Sequence, residues 1–597
     1  MIKLSDYVFE YLASTGVKDV FMLSGGGCMH LVNSLGKNKK INYRCCLFEQ
    51  VVSVAAGAYA QYKNELGVGL VTTGPGGTNA ITGVAAAWSD SIPLLMISGQ
   101  VKTSDISNNT VRTLGFQELD IVSIVKPITK YAVTVKDPEN IAYELEKCIN
   151  IALSGRFGPV WIDIPLDVQA AMIDEDKLKH YSENKESVKP NDETIDKALS
   201  LIGSAKRPVI MAGYGVKTSG SVDKLNEFAK ALNIPVLLTW KAMDMLECDN
   251  DLYMGRPGCI GQRYANFIQQ NADLIISLGA RLDFGQIGYN HLEFAPNAKK
   301  IIVDIDECEL NKFKFDTDLS VNVNVKDFLE AVCSGIKKAG TEIPDRKVWL
   351  DYCRNLKKKY PVINEENCNA KDGTSTYYLM KCLHELSDEN FVFAPGNSGA
   401  CSEIFCQAYS VKKGQRVVTT NTLGSMGTGI PSAIGSCVAS EGKITVCVNG
   451  DGGFQMNIQD LETIRRLNLP IKFFVLNNKG YGSIRNSQDN YFDGFYVGAE
   501  AGSGVTLPSF KDVARTYKMN YHLIENNDEL KDIVSECLKE KGATICELMV
   551  SPDERTLPRT KSMVLENGGM KSMPFEDLFP FLDRDEFNEN MKISEKE

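Results

Sequence analysis

The chain has 597 residues, more than one hydrophobic core ordinarily supports, so two to four domains are expected. Hydrophobic residues make up 43% and charged residues 24%, a balance that excludes a disordered or fibrous chain. A formal net charge of -11 excludes nucleic-acid binding driven by bulk positive charge and favours small-molecule chemistry.

The opening Met1-Ile2-Lys3-Leu4-Ser5-Asp6 has no basic stretch ahead of an apolar core. No later run of about twenty apolar residues offers a membrane span, so a cytoplasmic location without membrane contact is expected. The 17 cysteines are scattered through apolar segments (Cys28, Cys45, Cys46, Cys447) with no paired CxxC pattern, and read as buried reduced thiols. His30, His180 and His384 assemble into no triad or zinc site and read as structural.

Three stretches alternate short apolar runs with helical patterns, which predicts an α/β fold of three doubly wound parallel-sheet domains. In the first, residues 1–180, strands are predicted at Val20–Leu23, Val68–Thr72, Leu94–Ser98 and Val160–Ile164, with a helix over Gln50–Gln61. The polar run 180–190 reads as a linker. The second domain, 190–340, carries apolar runs at Ala205–Gly215, Leu274–Gly279 and Ile301–Asp306. Polar Ala370-Lys-Asp-Gly-Thr374 leads into the third, 365–555, with runs at Phe391–Ala394, Val417–Thr420, Ile444–Val448 and Ile471–Leu476 and a helix over Ile458–Leu467. The tail, 556–597, is rich in Pro, Glu, Asp and Lys and is expected to wrap a surface or lie partly disordered. Whether the first and third domains are diverged copies of one fold stays open, since no tandem repeat is present.

The chemistry is carried by the run Ile444-Thr-Val-Cys-Val-Asn-Gly450-Asp451-Gly452-Gly453-Phe454, a buried strand ending in a carboxylate between glycines. Such glycines let backbone N–H groups approach an anion at the next helix's N-terminus. After a helix and a second strand comes Asn477-Asn478-Lys479-Gly480-Tyr481-Gly482, with Asn478 27 positions beyond Asp451. A bound diphosphate carries more charge than amides alone neutralise, so Mg²⁺ with oxygen ligands is the expected bridge. The side chains of Asp451 and Asn478 and the carbonyl of Gly480 can supply those oxygens. A plain turn is the competing reading of GDG alone.

With this spacing the sequence resembles the thiamine-diphosphate enzymes over residues 1 to about 555, nearest the branch of acetolactate synthase (acetohydroxyacid synthase) and pyruvate oxidase. The resemblance implies a pyrimidine-binding first domain, a central domain and a diphosphate-binding third domain. It assigns Glu49, in Cys45-Cys-Leu-Phe-Glu49-Gln, to the carboxylate that polarises the cofactor's pyrimidine so that its imino group can deprotonate the thiazolium carbon. A helix-dipole role is the alternative for Glu49. It places the Ser24-Gly25-Gly26-Gly27-Cys28 turn beside the reacting carbon, where Gly26 and Gly27 face the substrate oxygen. Asn79, in Thr73-Gly-Pro-Gly-Gly-Thr-Asn79, and Gln117, in Phe116-Gln117, are implied near cofactor and substrate. In the third domain Met426, in Gly424-Ser-Met426-Gly427, matches the side chain that props thiamine into its bent shape, with core packing as the alternative. Asn397 and Ser398 match the diphosphate contacts, beside Gly450, Asp451, Gly452, Gly453, Asn478, Gly480, Tyr481 and Gly482.

Since Glu49 and Asp451 lie in different domains, the resemblance also implies a homodimer or homotetramer with each site between two subunits. In the central domain it implies FAD at Arg156, Gly213, Gly215, Thr239, Arg281, Asp283 and Asp304. The family's Gly-Met-His-Gly is replaced by Gly255-Arg256-Pro257-Gly258, so another nucleotide or none is the alternative. Near the substrate, Gly285 stands where the synthases hold the second keto acid with an arginine, Ser487 where a tryptophan selects that acceptor, and Leu166 where a lysine stands. These departures point to decarboxylation of a 2-keto acid such as pyruvate, followed by attack of the resulting enamine on another aldehyde or ketone. A keto-sugar of surface polysaccharide synthesis is the preferred acceptor. Arg256 and Arg485 could meet a nucleotide-sugar phosphate or be solvated surface arginines. Competing readings are acetolactate synthase proper, a simple decarboxylase or C–C hydrolase, and a catalytically silent regulatory homologue. A dinucleotide-binding dehydrogenase is disfavoured because no GxGxxG follows the first strand.

Overall fold

In a computed structural model of the protein, the described residues are 1–108, 110–182, 188–339, 344–370, 372–564 and 569–592. Residues 183–187 of the expected linker, Gly340 at the expected end of the second domain, Lys371 ahead of the third, and 565–568 and 593–597 of the tail lie outside them.

The long apolar runs all become parallel strands. The first sheet is six-stranded, in the order Asn42–Cys45, Asp19–Met22, Gly67–Val71, Leu94–Gln100, Val160–Pro165, Tyr131–Thr134. The third has the order Arg416–Val417, Val392–Phe393, Thr445–Gly450, Ile471–Asn477, Thr544–Met549, Asn520–Ile524. Numbered along the chain, both read 2-1-3-4-6-5, so the first and third domains share one topology. The central sheet has five strands in the order Val236–Leu238, Pro208–Ala212, Leu274–Leu278, Lys299–Asp304, Leu319–Asn322, or 2-1-3-4-5. Each central strand carries a near-continuous apolar run because helices cover both faces. The paired strands of these three sheets are parallel in register throughout.

The small-residue helix predicted at 50–61 spans Glu49–Lys63 and is buried along almost its whole length. It packs on the third-domain helix Gly429–Ala439, where a side chain at Gly435 would overlap the Ala55 carbonyl. Gly435 therefore sets how closely the two domains approach.

Buried charges tie all three domains together. Asp244 of the central domain accepts from Lys217 at 2.7 Å and from Arg416 of the third at 3.1 Å, while central Lys241 pairs with Asp90 of the first at 3.0 Å. Burial pulls the Lys217 ammonium down to about 8, with Asp244 acting against it.

Arg256, expected to meet a ligand phosphate or solvent, does neither. Its guanidinium is almost wholly buried and donates to the carbonyls of Cys406, Gln407 and Tyr409, bracing the central domain against the third. The tail wraps a surface: Arg263 donates to the carbonyls of Leu578 and Pro580, Asn266 to Phe575, and Asn271 to Asn590. All 17 cysteines are free and most are buried. Among the described residues no helix is long and apolar enough to cross a membrane.

Candidate active site

In a doubly wound sheet, ligands bind beyond the carboxyl ends of the strands, where the chain's winding reverses. In all three sheets here that point lies between the first and third strands, and the predicted site residues gather beside it.

In the third domain, Asn397 follows the first strand and Asp451 directly follows the third. Asp451 is the first residue of helix Asp451–Gln455 and is 2% exposed. Its Oδ1 accepts from Gly452 N at 2.7 Å and its Oδ2 from Gly480 N at 3.0 Å. Burial pushes the Asp451 carboxyl up to about 6 against those amides and the nearby Arg485. A cation beside it would reverse that shift. Asn478 supplies the neighbouring oxygen: its Oδ1 is buried and has no hydrogen-bond partner. A buried unpartnered acceptor is costly, and one next to a buried carboxylate suits a hard cation.

The groups around this pair agree. The Tyr481 ring lies where a side chain on Gly452 would stand, and Met426 Cε lies 3.5 Å from the same point. Gly453 is in the helix, Gly450 ends the strand, and Gly482 opens helix Gly482–Tyr491 beside the Asn478 amide. Asn397 Nδ2 donates to Thr428 Oγ1 at 2.7 Å, leaving its Oδ1 buried and unpartnered. Ser398 takes φ +76 ahead of helix Ala400–Ala408, and Gly424 takes φ +65 just before Met426. Arg485 is 4% exposed and donates to the Asn478 carbonyl at 2.9 Å. It is not a surface arginine, and it braces the Asn478 loop.

In the first domain, Glu49 begins its helix and is 9% exposed. Asn79 Nδ2 donates to Glu49 Oε2 at 3.0 Å, and Oε1 lies 3.7 Å from where a side chain on Gly76 would be. Across the crevice the Gly26–Cys28 turn leans on Thr72 and Thr73. Gly27 N is committed to Thr72 Oγ1 at 3.1 Å, so this amide does not face a substrate oxygen as expected. Gln117 is exposed, at φ +63, and its backbone packs on Gly74. Its loop is pinned by Glu118, whose carboxylate accepts from Ser107 N and Leu114 N, both at 2.5 Å. Burial acts upward on Glu118, yet those amides hold it below its ordinary range. The residues flanking Glu49 touch the third domain of the same chain: Leu47 N donates to Asp460 and Asn457 Nδ2 to Gln50.

A cavity of about 640 Å³ lies between the central domain and its two neighbours, lined by Arg156, Gly215, Thr239, Arg281, Asp283 and Asp304 among others. Gly213 lies behind this wall, where a side chain would overlap Ala280, and one on Gly215 would stand 2.7 Å from Gly279 Cα. Arg156 bridges Asp306 at 2.9 Å and Glu309 at 2.6 Å. Burial pushes Asp304 up from its ordinary range. Among the lining residues, Asp90 and Lys241 are marked by no motif read above. Of the departures, Gly285 lines the cavity, Ser487 caps back onto Ser483 O on an exposed helix face, and Leu166 is half-buried at the start of helix Leu166–Ala170.

Three family profiles match the chain: the thiamine pyrophosphate enzyme N-terminal TPP binding domain over residues 2–124, the central domain over 195–332 and the C-terminal TPP binding domain over 397–548. The acetolactate synthase large subunit of Cyanidium caldarium is 31% identical over 564 residues, 92% of this chain and 94% of that one. Isozyme 1 of Escherichia coli (strain K12) is 30% identical, covering 93% and 95%, and the large subunit of Lactococcus lactis is 31% identical, covering 93% of both. The chain belongs to the thiamine pyrophosphate-dependent enzymes and is similar to acetolactate synthase large subunits.

Proposed function

We propose that the protein decarboxylates a 2-keto acid, pyruvate first, and joins the remaining fragment to an aldehyde or ketone other than pyruvate, with a keto-sugar of surface polysaccharide synthesis as the preferred acceptor. The observation that carries the cofactor half of this reading is the buried Asp451 carboxylate beside the unpartnered Asn478 Oδ1. Asp451, Asn478 and the Gly480 carbonyl would hold Mg²⁺, and Asn397, Ser398 and the Gly450–Gly453 turn the diphosphate. Bound thiamine diphosphate supplies the carbon that adds to the keto acid and the ring that accepts its electrons.

The chain's own groups do the rest. Glu49 would hold a proton at the pyrimidine through the oxygen that Asn79 leaves unoccupied, and Met426, beside Gly452, would support the bound cofactor. Gly26 and Gln117 line the substrate side. As the family resemblance implies, with Glu49 and Asp451 in different domains, we assign each complete site to two copies of the chain. FAD is assigned to the central cavity, whose glycine walls admit a close backbone approach and whose Asp304, at a strand end, suits a ribose diol. Arg156 and Arg281 would face its phosphates.

The altered acceptor rests on the three departures at Gly285, Ser487 and Leu166. Acetolactate synthase proper is the second reading, favoured by the identity of about 30% to those synthases across more than nine-tenths of the chain. Pyruvate supplied alone with thiamine diphosphate and Mg²⁺ separates the two. Slow acetolactate formation, accelerated product formation on adding aldehydes, and flavin released on denaturing the purified protein are the expected results. Rapid acetolactate formation from pyruvate alone would establish the second reading instead.

A further inference from the structure

The start of the C-terminal tail crosses from the third domain to the central one along the rim of the cavity. Tyr377 Oη donates to the Leu557 carbonyl at 2.8 Å, and Gln407 Nε2 to the Pro558 carbonyl at 2.7 Å. Arg559 exchanges both backbone bonds with Phe579, at 3.0 and 2.8 Å, and Thr560 N then donates to the Cys259 carbonyl at 2.7 Å. Cys259 N in turn donates to the Gly285 carbonyl at 2.9 Å, and both residues line the cavity. A continuous set of backbone bonds thus carries the tail to Gly285, the position where the sequence lacks the expected arginine.

Arg559 arrives there with its backbone fixed and its side chain uncommitted. The side chain is 44% exposed, and its one ion-pair partner among the described residues, Glu403 Oε2, is 3.7 Å away, beyond hydrogen-bond length. Glu403 stands on helix Ala400–Ala408, directly after the Asn397-Ser398-Gly399 turn at the diphosphate side. The guanidinium therefore lies beside Glu403, on the residue next to the one that bonds cavity-lining Cys259, with its donor fork available for an anion. Gly285 and Cys259 line the cavity and Arg559 does not, so an anion it holds lies outside the wall that Gly285 forms.

We propose that Arg559 binds an anionic group, phosphate or carboxylate, carried by the acceptor at a distance from its carbonyl. This rests on the altered-acceptor reading and names the acceptor's class: a carbonyl compound with a remote negative charge.

The test compares three acceptors with pyruvate as donor: neutral glyceraldehyde, glyceraldehyde 3-phosphate with its charge remote, and glyoxylate with its carboxylate on the carbonyl carbon. The wild-type enzyme is expected to favour glyceraldehyde 3-phosphate over both. Arg559→Met should raise KM for that acceptor by about tenfold or more, with kcat and the neutral acceptor little changed, and Arg559→Lys should recover part of the loss. Donor turnover, followed as CO₂ release from pyruvate with ferricyanide as oxidant, should be equal in all three proteins and shows that they are folded. Equal effects of Arg559→Met on charged and neutral acceptors, or none on either, overturn this inference alone. Acetolactate as the sole product of the wild-type enzyme, whatever aldehyde is present, overturns the reading beneath it and this inference together.

Discussion

Asn478 shows how a single atom can report a missing partner. Its side-chain oxygen is sealed from water without a hydrogen bond, a state that costs about 1–3 kcal/mol in a folded protein. If that cost serves cation binding, Asn478→Ala removes it, and the cofactor-free variant should be at least as stable as the cofactor-free wild type. The rise in Tm that Mg²⁺ with thiamine diphosphate gives the wild type should be largely lost. Differential scanning fluorimetry with and without both ligands measures the two effects; a variant that is destabilised without ligands yet keeps the full ligand-induced rise contradicts the assignment. Most site residues at this scale were legible because the chemistry demands rare combinations, such as a carboxylate between glycines followed at fixed spacing by paired asparagines. Lys241 was not, since a lysine becomes remarkable only once folding buries it against Asp90. Arg256 and Arg485 misled for a related reason: a guanidinium can saturate backbone carbonyls as well as phosphates, and sequence does not distinguish the two.

Helix Thr376–Leu386 carries a titrating cap from a distant part of the chain. Glu554, just beyond the last strand of the third sheet, accepts from Thr376 N at 2.7 Å and from Thr376 Oγ1 at 2.5 Å, and burial pushes its carboxyl from 4.5 up to about 7. Below pH 4.5 the folded and unfolded states both keep the proton. Between 4.5 and about 7 only the folded state keeps it, so this group's contribution to stability falls as pH rises, and above 7 the full cost is present. Glu554→Gln can keep both bonds without the charge. Its Tm should decline less than that of the wild type between pH 5 and pH 8, a difference of about 1–3 kcal/mol. Parallel pH profiles for the two proteins would contradict this. The elements that sequence reading missed share a physical cause. Asn42–Cys45, Tyr131–Thr134, Val236–Leu238, Leu319–Asn322 and Asn520–Ile524 are all edge strands. An edge strand has neighbours on one side only, so it can be short and carry polar residues that hide its periodicity. The inner strand Thr544–Met549 was hidden instead by Glu547, which is held by Asn477 at 2.6 Å and Tyr521 at 2.7 Å.

At the scale of the molecule, large apolar side chains stand exposed near the first-domain and third-domain crevices. Phe116 is 89% exposed and Phe495 75%, on the loops nearest the first-domain and third-domain crevices respectively. A second copy of the chain would cover such surface and complete each site. Complementation tests this: Glu49→Gln and Asp451→Asn, each inactive alone, should recover up to about a quarter of wild-type activity when unfolded and refolded together, because half of the chains then pair as mixed dimers in which one site carries both substitutions and the other neither. No recovery in mixtures shown by mass to contain the mixed dimer would place both groups in one chain.

The shared 2-1-3-4-6-5 order of the first and third domains carries an evolutionary consequence. Two modules of one topology would address opposite ends of a single cofactor, so that mutations in one are nearly independent of demands on the other. The third can conserve retention of the diphosphate while the first, with the central rim, drifts toward new reaction partners. A lineage built this way can change what it makes without first losing what it holds, and Gly285 and Leu166 are where such drift would leave its trace.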